Sequence, residues 1–284
     1  MARKLKPALE ADFIEMMLPS GGRVACYKRA GEGRPLLLLH SINAAPSAFE
    51  ISPFFHQMSL PQPLYAADLP GFGLSDRTDR TYSASFYAQA IIDLCDAINE
   101  GPIDVLALST TCELVAKAAN MAPHLFNKLI MVSPTGFSRR KERSGSGQGI
   151  LKVLRAPLVG ETLFRALRSR PSINYFLNMA FKDSAPEPMV DYAYATAAQP
   201  GARYAPFYFL SGQLFAADAI GELYSQLSQQ VLVLYDKDPN VSLRLLDGFV
   251  SEMGNWTAYR IDDTRGLPHF EKPEATEEAL KRFL

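Results

Sequence analysis

Short apolar runs, each too brief for a core helix, recur along this chain and alternate with stretches whose apolar residues fall at helical spacing, and few architectures accommodate both. Residues 35–40 (PLLLLH), 63–67 (PLYAA), 103–108 (IDVLAL), 128–133 (KLIMVS) and 230–235 (QVLVLY) are nearly continuous in apolar side chains. A strand reads this way when both of its faces are covered, as in a parallel sheet with helices above and below. Between two of these runs, Phe86, Ala90, Ile91, Leu94 and Ile98 form the 3.6-period stripe of an amphipathic helix. The expected fold class is therefore α/β: a mostly parallel twisted sheet flanked by helices and joined by right-handed crossovers. Ligands on such sheets bind beyond the carboxyl ends of the strands, where His40, Asp68, Ser109 and Ser133 fall.

The N-terminal part adds a hairpin, with candidate strands at 13–18 and 23–29 around Pro19-Ser20-Gly21-Gly22. Residues 49–58 read as a helix, 256–261 as the last strand, and a final helix starts near Pro273. From residue 137 to about 230 the alternation stops. Helical patterns at 149–154, 161–168, 174–181 and 189–198 are broken by Gly and Pro and crowded with aromatics. The expected organisation is an α/β core made of residues 1–136 and 231–284, interrupted by a helical cap over 137–230. A segment that leaves one strand end is placed to cover that face. A plain helical subdomain with an aromatic core is the other reading.

Composition narrows the function classes. Hydrophobic residues make up 48% and charged residues 21%, which suits a folded globular chain rather than a disordered one. A formal net charge of −1 gives no global attraction to nucleic acid, and no 18-residue apolar run is present to span a membrane. The first residues lack the apolar core of a secretory signal, so cytoplasmic residence is the expectation, with a homodimer left open. Cys26, Cys95 and Cys112 lack metal-site or redox spacing, so neither a zinc site nor a disulfide frame is expected, and nothing calls for a cofactor. Residues 137–170 carry nine Lys/Arg against two acids, which reads as a solvated helical face or as a surface for an anionic substrate or lipid.

Ser109 stands where the 103–108 run meets a helical stripe of Leu114, Val115 and Ala118. A serine there either caps the helix or is a nucleophile presented on a sharp strand-to-helix turn. Nucleophilic serine chemistry needs a base for the hydroxyl proton, an acid behind that base, and donors for the developing oxyanion. Along the chain Ser109 is followed by Asp236 and Asp238 after a later strand, and by His269 after the last one. Of the other histidines, His56 and His124 fall at helix ends and His40 ends the first buried strand.

His40-Ser41 after PLLLL, DLPGFGLSD at 68–76, the turn at Ser109, LYDKDP at 234–239 and GLPHFEKPE at 266–274 occur in an order that resembles the α/β-hydrolase fold family, in its serine hydrolase branch with a helical cap. The resemblance implies Ser109 as nucleophile, His269 as base, and Asp238 as acid through its Asp-Pro step, with Asp236 as the alternative. It further implies the backbone N–H groups of Ile42 and Thr110 as oxyanion donors and His40 as support for that loop. Several positions depart from the pattern, among them Ser41, which stands in the glycine column after His40, and the acid loop, which is one residue short and lacks its glycine. Ala107-Leu108-Ser109-Thr110-Thr111 lacks both glycines of the usual elbow, so the Thr111 hydroxyl is expected to bond locally. Gly266 occupies the column where such loops usually carry the base, so either a shift of the loop brings His269 to the catalytic place, which is the expectation, or the base is missing.

The implied reaction is acyl transfer, most simply ester hydrolysis of a small, largely apolar substrate. Its rivals are a carbon–carbon hydrolase or lyase on the same triad, and a non-catalytic relative that binds a small ligand.

Overall fold

The computed structural model describes residues 5–138 and 147–284. Eight strands form one sheet: β1 (Asp12–Leu18), β2 (Gly22–Arg29), β3 (Leu36–Leu39), β4 (Leu64–Ala67), β5 (Ile103–Leu108), β6 (Phe126–Val132), β7 (Gln230–Tyr235) and β8 (Trp256–Arg260). Their order across the sheet is β1-β2-β4-β3-β5-β6-β7-β8. The first two strands pair antiparallel, as does β2 with β4, and every pairing from β4 to β8 is parallel. The expected parallel sheet with an N-terminal hairpin is what folds.

Alternation along the buried runs explains how both faces are filled. Leu37 and Leu39 project into one apolar cluster and Leu36 and Leu38 into the other. The first cluster packs under α2 (Ala84–Ile98) and α3 (Thr111–Met121), whose Ala90, Ile91, Leu94, Leu114, Val115 and Ala118 are all buried. The opposite cluster takes Phe54 from α1 (Ser52–His56) and Leu280 from the C-terminal helix Pro273–Phe283. The helix expected at 49–58 is a 3-10 turn, Ala48–Ile51, leading into the short α1, because Pro53 admits a helix start there but cannot donate to a preceding turn.

Between β6 and β7 lie α4 (Gln148–Leu154), α5 (Val159–Leu167), α6 (Arg170–Met179), α7 (Glu187–Ala197), α8 (Tyr204–Leu210) and α9 (Ala219–Glu222). These helices do not form an isolated unit. Met189, Val190, Ala193 and Ala197 of α7 belong to the core cluster beneath the sheet ends, and Tyr192 stacks on Phe49 with ring centroids 5.4 Å apart. Arg139, Arg140, Lys141 and Arg143 of the basic stretch lie outside the described residues. After β7 the chain forms α10 (Leu246–Glu252), and after β8 come α11 (Pro268–Glu271) and α12 (Pro273–Phe283).

Candidate active site

Ser109 follows the last residue of β5 with φ of +50°, a left-handed conformation that a serine adopts rarely and at a cost. Its own N–H is tied to Val132 O at 2.9 Å, and its carbonyl accepts the Cys112 N–H at 3.0 Å as α3 begins. The residue is therefore no ordinary cap, whose backbone would be extended. It is a sharp turn fixed at both ends, with the side chain facing a cavity of about 330 Å³.

Thr111 holds the turn against the neighbouring loop. Its hydroxyl donates to the carbonyl of His40 at 2.7 Å, so the bond crosses to another strand end instead of closing locally as expected. His40 is fully buried; its Nδ1–H donates to Ser41 O at 2.5 Å and its Nε2 accepts the Leu69 N–H at 2.9 Å. This pattern fixes the neutral tautomer and pins the loop that follows β3. Ser41 itself keeps a negative φ, which is why a side chain is tolerated in a column that favours glycine.

Glu50 completes the loop and carries no motif that would have announced it. Buried, it accepts the Ser41 N–H at 2.9 Å and the Asn43 side-chain amide at 2.9 Å through its two carboxylate oxygens. The N–H groups of Ile42 and Thr110, by contrast, take part in none of the hydrogen bonds among the described residues, and both residues belong to the segments that flank Ser109. Two uncommitted donors beside a strained serine can accept a developing negative charge.

Asp238 and Gly266 line the same cavity. Asp238 accepts the Asn240 N–H at 2.8 Å, and burial raises its carboxyl above the usual range, opposed by that N–H and the Val241 N–H. Asp236 is differently employed. Almost wholly buried, it accepts Arg260 Nε at 2.7 Å and the Thr264 N–H at 3.0 Å. Burial alone would raise its carboxyl, but the Arg260 pair and the backbone donor lower it. Asp236 ties β7 to the loop after β8, and of the two aspartates Asp238 is the one that lines the cavity, where Glu50 is the other carboxylate.

His269 requires a correction. It is fully buried, its Nε2–H donates to the carbonyl of Glu50 at 2.8 Å, and its Nδ1 has no hydrogen-bond partner. Its ring stacks on Phe54 with centroids 4.5 Å apart and an interplanar angle of 21°. Neither nitrogen is bonded to Ser109, and burial pushes the imidazole down to about 4, partly offset by the bond to Glu50. The loop does not shift as expected: α11 starts at Pro268 and turns the ring into the core beneath the sheet. Among the described residues no lysine, arginine or histidine lines the cavity.

Ser41, Asn43, Glu50 and Asn240 add polar groups to the wall, and most of the remainder is apolar: Leu108 and Leu267 from the sheet side, and Leu167, Ile173, Phe176, Leu177, Met189, Phe209 and Leu210 from the inserted helices. Cys112 lies outside it, fully buried with its thiol on Ala107 O at 3.3 Å. Among the described residues no cluster of three or more His, Cys, Asp or Glu gathers to hold a metal ion, and no helix is long and apolar enough to cross a membrane.

The sequence pattern described as "Alpha/beta hydrolase family" matches residues 36–279, which takes in β3, the Ser109 turn, the inserted helices and the His269 loop. The chain belongs to the alpha/beta hydrolase family. An uncharacterized protein of Mycobacterium tuberculosis is 26% identical over 139 residues, 47% of this chain and 40% of that protein, so the match spans less than half of either. Among solved structures, a serine hydrolase involved in carbazole degradation superposes with a TM-score of 0.74 at 17% identity, covering 96% of this chain and 98% of the other. A meta-cleavage product hydrolase from Pseudomonas fluorescens gives a TM-score of 0.73 at 16% identity, over 95% and 96% of the two chains. At such identities the structural likeness speaks for the alpha/beta hydrolase fold.

Proposed function

We propose that this alpha/beta hydrolase family member is a serine-dependent hydrolase of ester-like bonds in small, largely apolar substrates. The observation that carries the reading is the strained φ of +50° at Ser109, held on a pocket wall beside uncommitted backbone donors. Strain of that kind costs on the order of 1–3 kcal/mol and persists where the surroundings over-determine it. In the reaction Ser109 Oγ attacks the substrate carbonyl while the N–H groups of Ile42 and Thr110 hold the developing oxyanion. The leaving alcohol departs, and water then releases the acyl group from Oγ.

The proton from Ser109 needs an acceptor, and the residues lining the pocket offer carboxylates. Asp238 suits the task better than an ordinary carboxylate because burial raises its carboxyl above the usual range. A carboxylate remains a weaker base than an imidazole at neutral pH, so turnover should be slow. In triad enzymes stripped of one member, the oxyanion hole and binding alone retain about 10³–10⁴-fold over water.

The test is labelling by a fluorophosphonate probe, with the modified residue located by mass spectrometry, alongside hydrolysis of short p-nitrophenyl esters. Labelling at Ser109 that disappears in Ser109→Ala supports the reading; labelling retained in that variant sinks it. A second reading is favoured by one observation, the Gly266 column facing Asp238: a pocket that binds a small apolar ligand without turning it over. A wild-type protein that binds apolar ligands yet never reacts with the probe would decide for it. Carbon–carbon bond hydrolysis on the same serine is separated from ester hydrolysis by a panel of both substrate types.

A further inference from the structure

Away from the pocket, α4 and α5 turn an apolar face to solvent. On α5, Val159, Thr162, Leu163 and Ala166 recur at helical spacing and are all exposed, while Gly160 and Phe164 on the other side are buried against Phe207. A helix with one face in the core normally presents polar residues outward. Here the outward stripe is aliphatic but for Thr162, and α4 adds Ile150 and Val153, each more than half exposed. At the tip between the two helices, Leu158 is 83% exposed with φ of +66°, a conformation that costs energy to hold a leucine in water.

Within residues 147–170 Lys152, Arg155, Arg165, Arg168 and Arg170 stand against the single acid Glu161. Arg203 and Arg165 pair with that acid, Arg155 with Asp79 at 2.7 Å and Arg170 with Asp191 at 2.6 Å, which leaves Lys152 and Arg168 outside the ion pairs among the described residues. Lys152 is exposed. The apolar face also continues to the pocket. Leu167 at the end of α5 lines the cavity, and Phe176 of α6 both lines it and is 53% exposed at its rim, next to the exposed Tyr175.

We propose that this face docks the protein on the surface of an anionic lipid bilayer. Leu158 and the adjacent aliphatic stripe enter the boundary between headgroups and acyl chains, with the unpaired Lys152 and Arg168 against lipid phosphates. Phe176 then opens toward the membrane, so that an apolar substrate passes from lipid to the Ser109 pocket without crossing water. A tip as exposed as Leu158, flanked by the unpaired cations Lys152 and Arg168, suits a bilayer better than a protein partner, whose interface would bury a flatter patch.

The experiment is vesicle flotation of the full chain, which requires no turnover and so stands apart from the chemistry assigned to Ser109. Vesicles of phosphatidylcholine with about 30% phosphatidylglycerol should carry the protein, pure phosphatidylcholine less, and raising salt from about 0.1 to 0.5 M should weaken the binding. Leu158→Asp should reduce binding about tenfold or more with an unchanged melting temperature, because the side chain contacts little of the fold. Lys152→Glu should weaken binding to the anionic vesicles alone. The proposal is overturned if neither vesicle binds the wild type, or if Leu158→Asp binds as tightly. It is equally overturned if the wild type is a dimer in solution that Leu158→Asp converts to monomer, since a second copy would then be what covers this face.

Discussion

The carboxylate of Asp238 stands where a side chain on residue 266 would begin: a Cβ built on Gly266 would lie 2.8 Å from Asp238 Oδ2. That distance is too short for two atoms at rest, so the carboxylate fills the opening left by the missing side chain. Ala180 Cβ, 3.6 Å from the same point, leaves ordinary room on the other side.

Gly266→His should consequently restore a base to the pocket. Gly266 does not require positive φ, and the atom in the way is the end of a side chain that can turn aside. A positioned imidazole contributes about 10²–10⁴ in rate, so kcat/KM for a short p-nitrophenyl ester should rise at least about a hundredfold. Unchanged kinetics in a folded variant would mean that the column faces no reacting group.

His269 makes the fold acid-sensitive. Its imidazole titrates near 4 when folded, because burial disfavours the charged form, against about 6.5 when unfolded. Between those values the unfolded chain binds the extra proton, so the contribution is whole above about pH 7 and is lost as pH falls through the window. The loss approaches roughly 3 kcal/mol at pH 4, taking 1.36 kcal/mol per unit. Urea unfolding of wild type and His269→Gln at several pH values should give curves that diverge above pH 6.5 and converge toward pH 4. Parallel curves would contradict the buried neutral state.

Ser109→Gly should be more stable than wild type and inert to the probe. Glycine adopts φ of +50° freely, so relieving the serine is expected to gain about 1 kcal/mol, read as a rise of a few degrees in melting temperature. A fall in melting temperature would show that the hydroxyl, rather than the turn, is what the structure stabilises.

Thr111→Val removes the donor to His40 O without changing shape much. The buried carbonyl is left unsatisfied, which costs about 1–3 kcal/mol, whereas Thr111→Ser keeps the bond and most of the stability. Ester hydrolysis should fall further in the valine variant than in the serine variant, through kcat rather than KM. Equal losses in both would assign the effect to packing.

The sheet was legible because apolar runs and helical stripes are local patterns. The Ser109 turn was legible only through the order of the segments around it, since both glycines are absent from its own motif. His269 misleads for a physical reason: a loop's spelling records spacing, while the direction of the ring depends on Phe54 and the Glu50 carbonyl, more than two hundred positions away. Glu50 gives no sign of itself for the same reason, and the Thr111 bond to His40 crosses 71 positions that no local rule connects.

Glu50 uses both of its ends. Its carboxylate grips Ser41 and Asn43, and its carbonyl is the acceptor for His269. The C-terminal loop is therefore tied, through Glu50, to the loop that follows β3 rather than to Ser109. A change that loosens His269 travels through one residue's backbone to the donors beside Ser109. In this chain the histidine that a motif search would mutate first is bonded to the residue that holds Ser41 and Asn43, so its removal is expected to disturb that loop and to mimic the loss of a catalytic base while testing something else.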